Sequence, residues 1–454
     1  MPDKSTVTER FAAFVETTDF DDLPADVIAS TKQRILDTIG VAWAGSTAPG
    51  CSEARQMMLA DGVNGACTLW ASGERVAPRA AAFVNGMHAA ALDYDSVYER
   101  GSVHPDIVTV PAAWALAEDA GADGRALITA VALGNEIACR LGAANLENRG
   151  WFYTSLHGVF GAAAASAKLL GLSSDGIANA LGLALSHAGG TQQALIEKSL
   201  AKRAQSGFAA DAGVFVAQLA AAGLNGPREA IEGKFGYHNL YGAGDPSIAV
   251  EGLGTHYESL ATAIKKYPSC TANHVPIDLL IGIVAENDLS PENIAGVEVG
   301  ISSFADQLVG AEFDPSDNPQ VAAQFSIQYS AASAALRRRL GIAEIQDDAV
   351  FDPDVGAFLP KIKTVADTDN PGKFAPATVR VETTDGKVYD GSLENVPGTL
   401  ENPLSAEDVA AKFRDCVSFG SNPLAAQDAA ALAATLNDIE SCADLGTVFS
   451  GLHA

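Results

Sequence analysis

Two aspartates and a histidine lie between apolar residues in the segment 92–111. Asp93 and Asp95 end an alanine-rich stretch, and His104 follows them after a short turn. A carboxylate and an imidazole separated by a turn are the residue types that general acid-base catalysis needs, because histidine titrates near neutral pH. The alternative is structural: an aspartate that caps a helix end, and an imidazole that satisfies a buried carbonyl group.

A second polar cluster lies in the segment 150–161. Tyr153 and Thr154 carry hydroxyl groups, and His157 stands one residue before Gly158, which we expect to begin a helix. A helix N-terminus favours anions, and it favours a neutral imidazole over a charged one. Tyr153 and His157 are therefore candidate proton-transfer groups. The alternative is ordinary packing of aromatic side chains over a helix end.

Cations occur in two further segments. Lys202 and Arg203 come just before an alanine-rich helix, and Lys265 precedes Cys270 and His274 by a few residues. In a chain of net charge −27, such cations are suited to bind a carboxylate. The alternatives are a solvated helix start at Arg203 and a metal site at Cys270 and His274. One cysteine and one histidine four residues apart are weak support for a metal site.

The elements that must position these residues fall into two classes. Residues 26–260 are alanine-rich with helical periodicity, whereas 297–301 alternates as a strand does and 378–392 has the pattern of a hairpin around Asp385-Gly386. The sequence predicts a mainly α protein with a large all-helical domain over 1–266 and a smaller inserted α+β domain over 267–395. Helices in 396–454 are expected to return to the helical domain.

Glycine and proline indicate where individual helices begin. Pro111 predicts the first turn of one helix, because proline is tolerated where the backbone N–H has no helical partner. Gly158 and Gly207 predict the starts of two others.

Composition and charge exclude several classes of function. The net charge of −27 and the lack of any basic run argue against a nucleic-acid groove and an anionic membrane surface. Signatures of dinucleotide binding, P-loops, serine hydrolases, zinc proteases and EF-hands are also lacking. The N-terminal segment does not have the pattern of a secretory signal, and the six cysteines are scattered. We expect a cytoplasmic protein with reduced thiols and neither a nucleic-acid nor a membrane partner.

Several motifs in order along the chain resemble those of the MmgE/PrpD family. They include FVNGMHAAALDYD, HPDIVTVPAAWALAE, HGVFGAAAASAKLLGL, KKYPSC and PGTLENPLS. The family includes 2-methylcitrate dehydratases, cis-aconitate decarboxylases and an iminodisuccinate epimerase. The resemblance implies an all-helical domain built from both chain ends, a smaller α+β lid and a homodimer. It also implies a site for small di- or tricarboxylic acids in a cleft between the domains, without a metal or an organic cofactor.

The resemblance also assigns individual residues. The positions that match active-site residues of the family are Asp93, His104, Lys202 and Lys265. Two positions depart from the family pattern. Phe152 follows Gly150-Trp151 where the family usually has a histidine, and Gln205 replaces the histidine of the motif Lys-x-Leu-His-x-Gly.

Together with these residues, the resemblance implies a cofactor-independent lyase of the dehydratase type, acting on a small di- or tricarboxylic acid such as a 2-methylcitrate-like hydroxy acid. His104, oriented by Asp93, would move the proton α to a carboxylate, with Tyr153 or His157 as its counterpart. The expected substrate-binding residues are Lys202, Lys265, Gln205, Cys270 and His274.

Two other readings of the same residues stay open. One is an epimerase, an isomerase or a decarboxylase of a related polycarboxylate, and the two missing histidines make epimerisation more credible. The other is a homologue that binds a carboxylate without catalysis.

The contrast between an acidic chain and a cationic site predicts a salt dependence. Affinity for a polycarboxylate should rise as moderate salt screens the repulsion between substrate and surface, since the screening length falls from about 30 Å at 0.01 M to about 10 Å at 0.1 M. It should fall again at high salt, when the site itself is screened. Affinity measured across a salt series tests this, and a steady fall from the lowest salt would contradict it.

Overall fold

The chain forms two compact units, seen in a computed structural model that describes residues 5–453 apart from 62–64, 146, 148, 198, 243, 316–317 and 371–373. One unit comprises Met1–Ile264 with Val409–Ala454, and the other Lys265–Asp408. The sequence put the two boundaries after residues 266 and 395. In the structure, the second boundary falls inside a helix, so no linker marks it.

Helices make up nearly all of the regular structure in the first unit. Among the described residues of this unit, the exception is a short two-stranded antiparallel ribbon, β1 (Cys67–Thr68) and β2 (Arg75–Val76). The helices before the second unit are α1 (Val7–Thr17), α2 (Ala25–Gly45), α3 (Cys51–Ala60), α4 (Pro78–Ala89), α5 (Asp106–Ala120), α6 (Gly124–Ala144), α7 (Tyr153–Leu169), α8 (Ser174–Ala184), α9 (Gln193–Ile196), α10 (Ala201–Ala221) and α11 (Tyr237–Tyr241).

The second unit combines one sheet with helices. Its elements are α12 (His274–Glu286), β3 (Ile294–Ser302), α13 (Ser303–Val309), α14 (Pro319–Gln324), α15 (Ile327–Arg337), α16 (Asp347–Val350), α17 (Pro353–Phe358), β4 (Ile362–Asp367), β5 (Ala377–Thr383) and β6 (Val388–Leu393). The strand order is β4-β3-β5-β6, with β3 parallel to β4 and the other pairs antiparallel. The hairpin predicted around Asp385-Gly386 is confirmed as β5 and β6.

Two further α-helices follow in the described residues, α18 (Ala406–Val417) and α19 (Ala426–Asn437). From Val409 onward this segment belongs to the first unit, and α19 packs against α2. The prediction of a mainly α fold with a small inserted α+β region is therefore confirmed.

The core of the first unit is built on close contacts between helices with small side chains. Helix α7 packs against α5, α6 and α10. A Cβ atom added to Gly161 would lie 2.6 Å from the backbone oxygen of Gly134, and the reverse addition gives the same distance. Glycine at both positions therefore lets the backbones of α6 and α7 approach more closely than alanine would.

Helix α6 is long and apolar enough to cross a bilayer, but the protein uses it as a core helix. Of its most apolar 18-residue window, 94% is buried within the described chain. It also carries a buried ion pair, in which Arg140 Nε lies 2.5 Å from Glu136 Oε1 one turn away.

Three helices begin earlier than the sequence predicted. Helix α5 begins at Asp106 and contains Pro111. Helices α7 and α10 begin at Tyr153 and Ala201, well before Gly158 and Gly207. A Cβ at Gly158 would lie 2.9 Å from side-chain atoms of Val108, and one at Gly207 would lie 2.6 Å from the Phe83 carbonyl oxygen. These glycines therefore serve close packing inside helices.

The contact between α6 and α7 predicts a large effect from one methyl group. Gly161→Ala should destabilise the protein by about 1–3 kcal/mol, because the added atom has no room beside a backbone oxygen. Gly282→Ala in α12 is the matched control, since its added Cβ meets nothing within 4 Å and alanine favours a helix by about 1 kcal/mol. Thermal denaturation of both variants tests this. Equal stability of Gly161→Ala and the wild type would contradict close packing at this contact.

Candidate active site

The loop between α4 and α5 holds an acidic residue in a strained backbone conformation. Asp93 has φ of 51°, in the left-handed region that non-glycine residues rarely adopt. Its Oδ1 accepts a hydrogen bond of 2.5 Å from Lys202 Nζ in the first turn of α10. The carboxylate is almost fully buried, whereas the lysine side chain is 21% exposed. The pair places a partly accessible cation beside the loop.

His104 is oriented by two acceptors on the same loop. Its Nδ1 lies 2.8 Å from Asp95 Oδ2 and 2.8 Å from the carbonyl oxygen of Ser96. A carbonyl oxygen can only accept, so Nδ1 carries the proton and a neutral ring presents a lone pair at Nε2. The side chain is 18% exposed, so solvent or a ligand can reach it. The sequence assigned the orienting role to Asp93, but in the structure Asp95 fills it and Asp93 pairs with Lys202.

A buried lysine donates a hydrogen bond to the backbone of this loop. Lys412 Nζ, on α18, lies 2.6 Å from Asp37 Oδ1 on α2 and donates a 2.8 Å hydrogen bond to the Tyr94 carbonyl oxygen. It also lies 4.0 Å from the centre of the Tyr94 ring, within the range of a cation–π interaction. Burial raises the pKa of Asp37 to about 6, although the attraction of Lys412 opposes that rise.

A second buried carboxylate binds Ser96, two residues after Tyr94 in the loop. Asp106, the first residue of α5, accepts hydrogen bonds from Ser96 Oγ at 2.5 Å and Asn135 Nδ2 at 2.6 Å. Arg34 Nε lies 3.4 Å from the same carboxylate, and both side chains are buried. Ser96 therefore connects Asp106 to His104, because its hydroxyl donates to the former and its carbonyl accepts from the latter.

Tyr153 and His157 stack on each other within the first two turns of α7. Their ring centres are 5.2 Å apart and nearly parallel. The Tyr153 hydroxyl donates to the Glu147 carbonyl oxygen, and His157 Nε2 is hydrogen-bonded to the Tyr237 hydroxyl. Burial lowers the pKa of His157 to about 3, with a smaller effect from His238, so the ring is neutral near pH 7. The predicted proton-transfer role of this pair stays a prediction.

The residue after Tyr153 contacts the histidine of the loop. Thr154 Oγ1 accepts a 3.2 Å hydrogen bond from the backbone N–H of His104. Phe152, at the position where the family usually has a histidine, is the buried N-cap residue of α7.

Gln205 bonds to the backbone of a neighbouring loop. Its Oε1 accepts from the Thr191 N–H at 2.7 Å, and residue 191 forms an antiparallel bridge with Trp151. The side chain thereby ties α10 to the segment that precedes α7. Its predicted contact with substrate is still a prediction.

The remaining predicted substrate-binding residues belong to the second unit. Lys265, Cys270 and His274 are all buried. The Cys270 N–H donates to the Gln324 carbonyl oxygen at 3.0 Å, and His274 Nε2 lies 3.2 Å from the Ser269 carbonyl oxygen. These contacts order the start of α12, and the substrate-binding roles of the three residues stay predictions.

No described group of three or more histidine, cysteine or carboxylate side chains is arranged to hold a metal ion. Cys270 and His274 therefore do not form part of such a group within the described ranges.

Sequence reasoning missed the buried charges beneath the loop. Arg34 and Asp37 flank the apolar residues Ile35 and Leu36 of α2, and that position was an available signal. A charged side chain is almost never fully buried without a partner. The partners of these buried charges could not be predicted from the sequence, because they are distant in the chain. Lys412, for example, is 318 residues away from Tyr94.

Comparison with known proteins gives matches over most of the chain. The MmgE/PrpD N-terminal domain model matches residues 9–249, and the C-terminal domain model matches residues 267–438. A cis-aconitate decarboxylase of Aspergillus terreus is 28% identical over 90% of this chain and 89% of its own length. Cis-aconitate decarboxylases of Homo sapiens and Mus musculus are 28% and 27% identical over 98% of this chain, and 95% and 94% of their own lengths. The matched domains cover more than half of the sequence, and the chain therefore belongs to the MmgE/PrpD family.

Proposed function

We propose that this protein is a lyase that acts on a small di- or tricarboxylic acid, with His104 as the group that transfers a proton to or from carbon. The observation that carries the proposal is the position of one imidazole nitrogen. Asp95 and the Ser96 carbonyl oxygen both bind Nδ1, which leaves Nε2 of a partly accessible ring for chemistry. An imidazole held in one orientation is well suited to general acid-base catalysis.

The proposed carboxylate-binding group is Lys202. Its ammonium group is paired with Asp93, which shields one side of the ammonium group from water. A substrate carboxylate would bind to the side of Lys202 that is still accessible. A cation in this environment also stabilises the negative charge that develops on the substrate during proton transfer. Lys265 is proposed as a second such cation by its match to the family pattern.

Decarboxylation is the favoured reaction, because the similar proteins include cis-aconitate decarboxylases. In that reaction the bond between carbon and the departing carboxylate breaks, and its electron pair stays on the remaining carbon. Carbon dioxide leaves, and a proton carried on Nε2 of His104 adds to that carbon. Asp95 would stabilise the imidazolium form that donates this proton.

Dehydration of a hydroxy acid is the second candidate. A specific observation favours it: the neutral His104 ring presents a lone pair at Nε2, which is the form that a general base requires. The base would take the proton α to a carboxylate, the electron pair would form an alkene, and the β-hydroxyl would leave as water with a proton from the predicted counterpart, Tyr153.

The proposal includes a cytoplasmic homodimer. Exposed apolar side chains on neighbouring helices support self-association, namely Ile196 on α9 and Phe208 on α10, the latter 59% exposed. All six cysteines are thiols rather than disulfides, and five of them are buried, as expected in a reducing compartment.

A substrate panel tests the proposed reaction class. The purified protein should turn over at least one of cis-aconitate, citrate-like, malate-like and imino-dicarboxylate compounds. Release of carbon dioxide would identify a decarboxylase, and alkene absorbance without carbon dioxide would identify a dehydratase. Exchange of the α-proton in deuterated water, without either product, would indicate an epimerase. Ligand-induced thermal stabilisation without turnover of any compound would contradict the proposal that the protein is an enzyme.

His104→Ala tests the proton-transfer role. The variant should lose about 10²–10⁴-fold in kcat/KM, the usual contribution of general acid-base catalysis, while its thermal midpoint stays close to that of the wild type. His256→Ala is the matched control, because the His256 side chain is 69% exposed and should be dispensable. Turnover by His104→Ala at the rate of the control would contradict the assignment.

A further inference from the structure

Four buried charged residues form two ion pairs next to the loop 93–96. Arg34 and Asp37 lie one turn apart on α2, and each pairs with an opposite charge from elsewhere in the chain, Asp106 for the former and Lys412 for the latter. All four residues are buried. Two cations and two carboxylates bring the formal charge of the group to zero.

Each of the two ion pairs contacts a different residue of the loop. Lys412 donates to the carbonyl oxygen of Tyr94, the residue between Asp93 and Asp95. Asp106 accepts from the hydroxyl of Ser96, whose own carbonyl oxygen accepts from His104 Nδ1. The buried group therefore binds the residues on both sides of Asp95, the carboxylate that orients the imidazole.

We propose that Lys412 and Asp106 are positioning residues, which fix the loop 93–96 so that Asp95 and Ser96 hold the neutral His104 ring in one orientation and one tautomer. The effect on turnover rests on the proposed function, whereas the effect on the imidazole does not.

The energetics of buried ion pairs favour a role for these residues in positioning the loop over a role in stabilising the fold. Desolvation of two charges offsets most of their attraction, and apolar replacements are often neutral or stabilising. Fold stability alone therefore gives little reason to keep the pair of Lys412 and Asp37. Its hydrogen bond to the Tyr94 carbonyl oxygen is a contact that an apolar side chain could not make. A displacement of about 1 Å at a catalytic group can cost roughly 100-fold in rate.

The main test is the double variant Asp37→Asn/Lys412→Met, which removes both charges together and leaves no unpaired buried ion. The matched control is Lys32→Met/Glu440→Gln, because Lys32 also lies on α2 and pairs with Glu440 of the C-terminal segment, away from the loop. The measurements are the thermal midpoint, kcat and KM, and the nitrogen NMR signals of His104 in protein labelled at histidine. Comparison with His104→Ala assigns those signals.

The expected result is a loss of roughly 100-fold in kcat/KM for the main variant, at a thermal midpoint close to that of the control. The NMR signals of His104 should change from one tautomer, protonated at Nδ1, to a mixture. Wild-type turnover and a wild-type His104 spectrum would overturn the inference. If the wild type turns over none of the substrates, the proposed function fails, and the His104 spectrum of the variant still decides the inference.

Ser96→Ala provides a second test that keeps all four charges, in case the double variant does not fold. It removes only the hydroxyl that donates to Asp106 and retains the carbonyl that accepts from His104. Its control is Ser30→Ala, which removes a different hydroxyl bonded to Arg34. We expect the His104 signals to change in Ser96→Ala alone. Identical spectra of both serine variants and the wild type would overturn the inference.

Discussion

A charge that is buried away from water needs a partner, and this requirement governs the region around the candidate site. Helix α2 carries Arg34 and Asp37 into the interior of the helical unit. Although these two opposite charges lie one turn apart, each pairs with an opposite charge from a distant helix. Satisfying both brings α5 and α18 to the same side of α2. Lys412 and Asp106 then form additional hydrogen bonds with the loop 93–96.

Close helix packing has a complementary role. Gly134 and Gly161 let α6 and α7 approach at the backbone, and Gly158 lets α7 approach α5. That approach brings the first turn of α7 beside the start of α5, where Thr154 accepts a hydrogen bond from His104. The small residues that give the sequence its alanine-rich character thus determine where a polar contact of the site can form.

Local pattern predicted the elements well because periodicity and turn chemistry are local. The helical class, the strand at 294–302 and the hairpin after Ala377 all follow from alternation or spacing within a short window. The starts of α5, α7 and α10 were wrong, because the role of a glycine or proline depends on what packs against it. For the same reason the sequence identified Asp93, His104 and Lys202 as polar residues of interest but not their pairing. Asp95 as the partner of His104, and Lys412 beneath Tyr94, depend on contacts between segments that the chain separates.

The position of Lys412, 318 residues after Tyr94, has a consequence for the order of synthesis. A ribosome completes α2, the loop 93–96 and α10 long before it reaches α18. During that interval Asp37 has no Lys412 to neutralise it, and the Tyr94 carbonyl oxygen lacks its buried donor. The contacts of Lys412 with Asp37 and Tyr94 can therefore form only after α18 has been synthesised and has packed beside α2. A nascent chain that contains every residue of the loop but not yet α18 lacks the contacts that Lys412 makes with the loop and with Asp37.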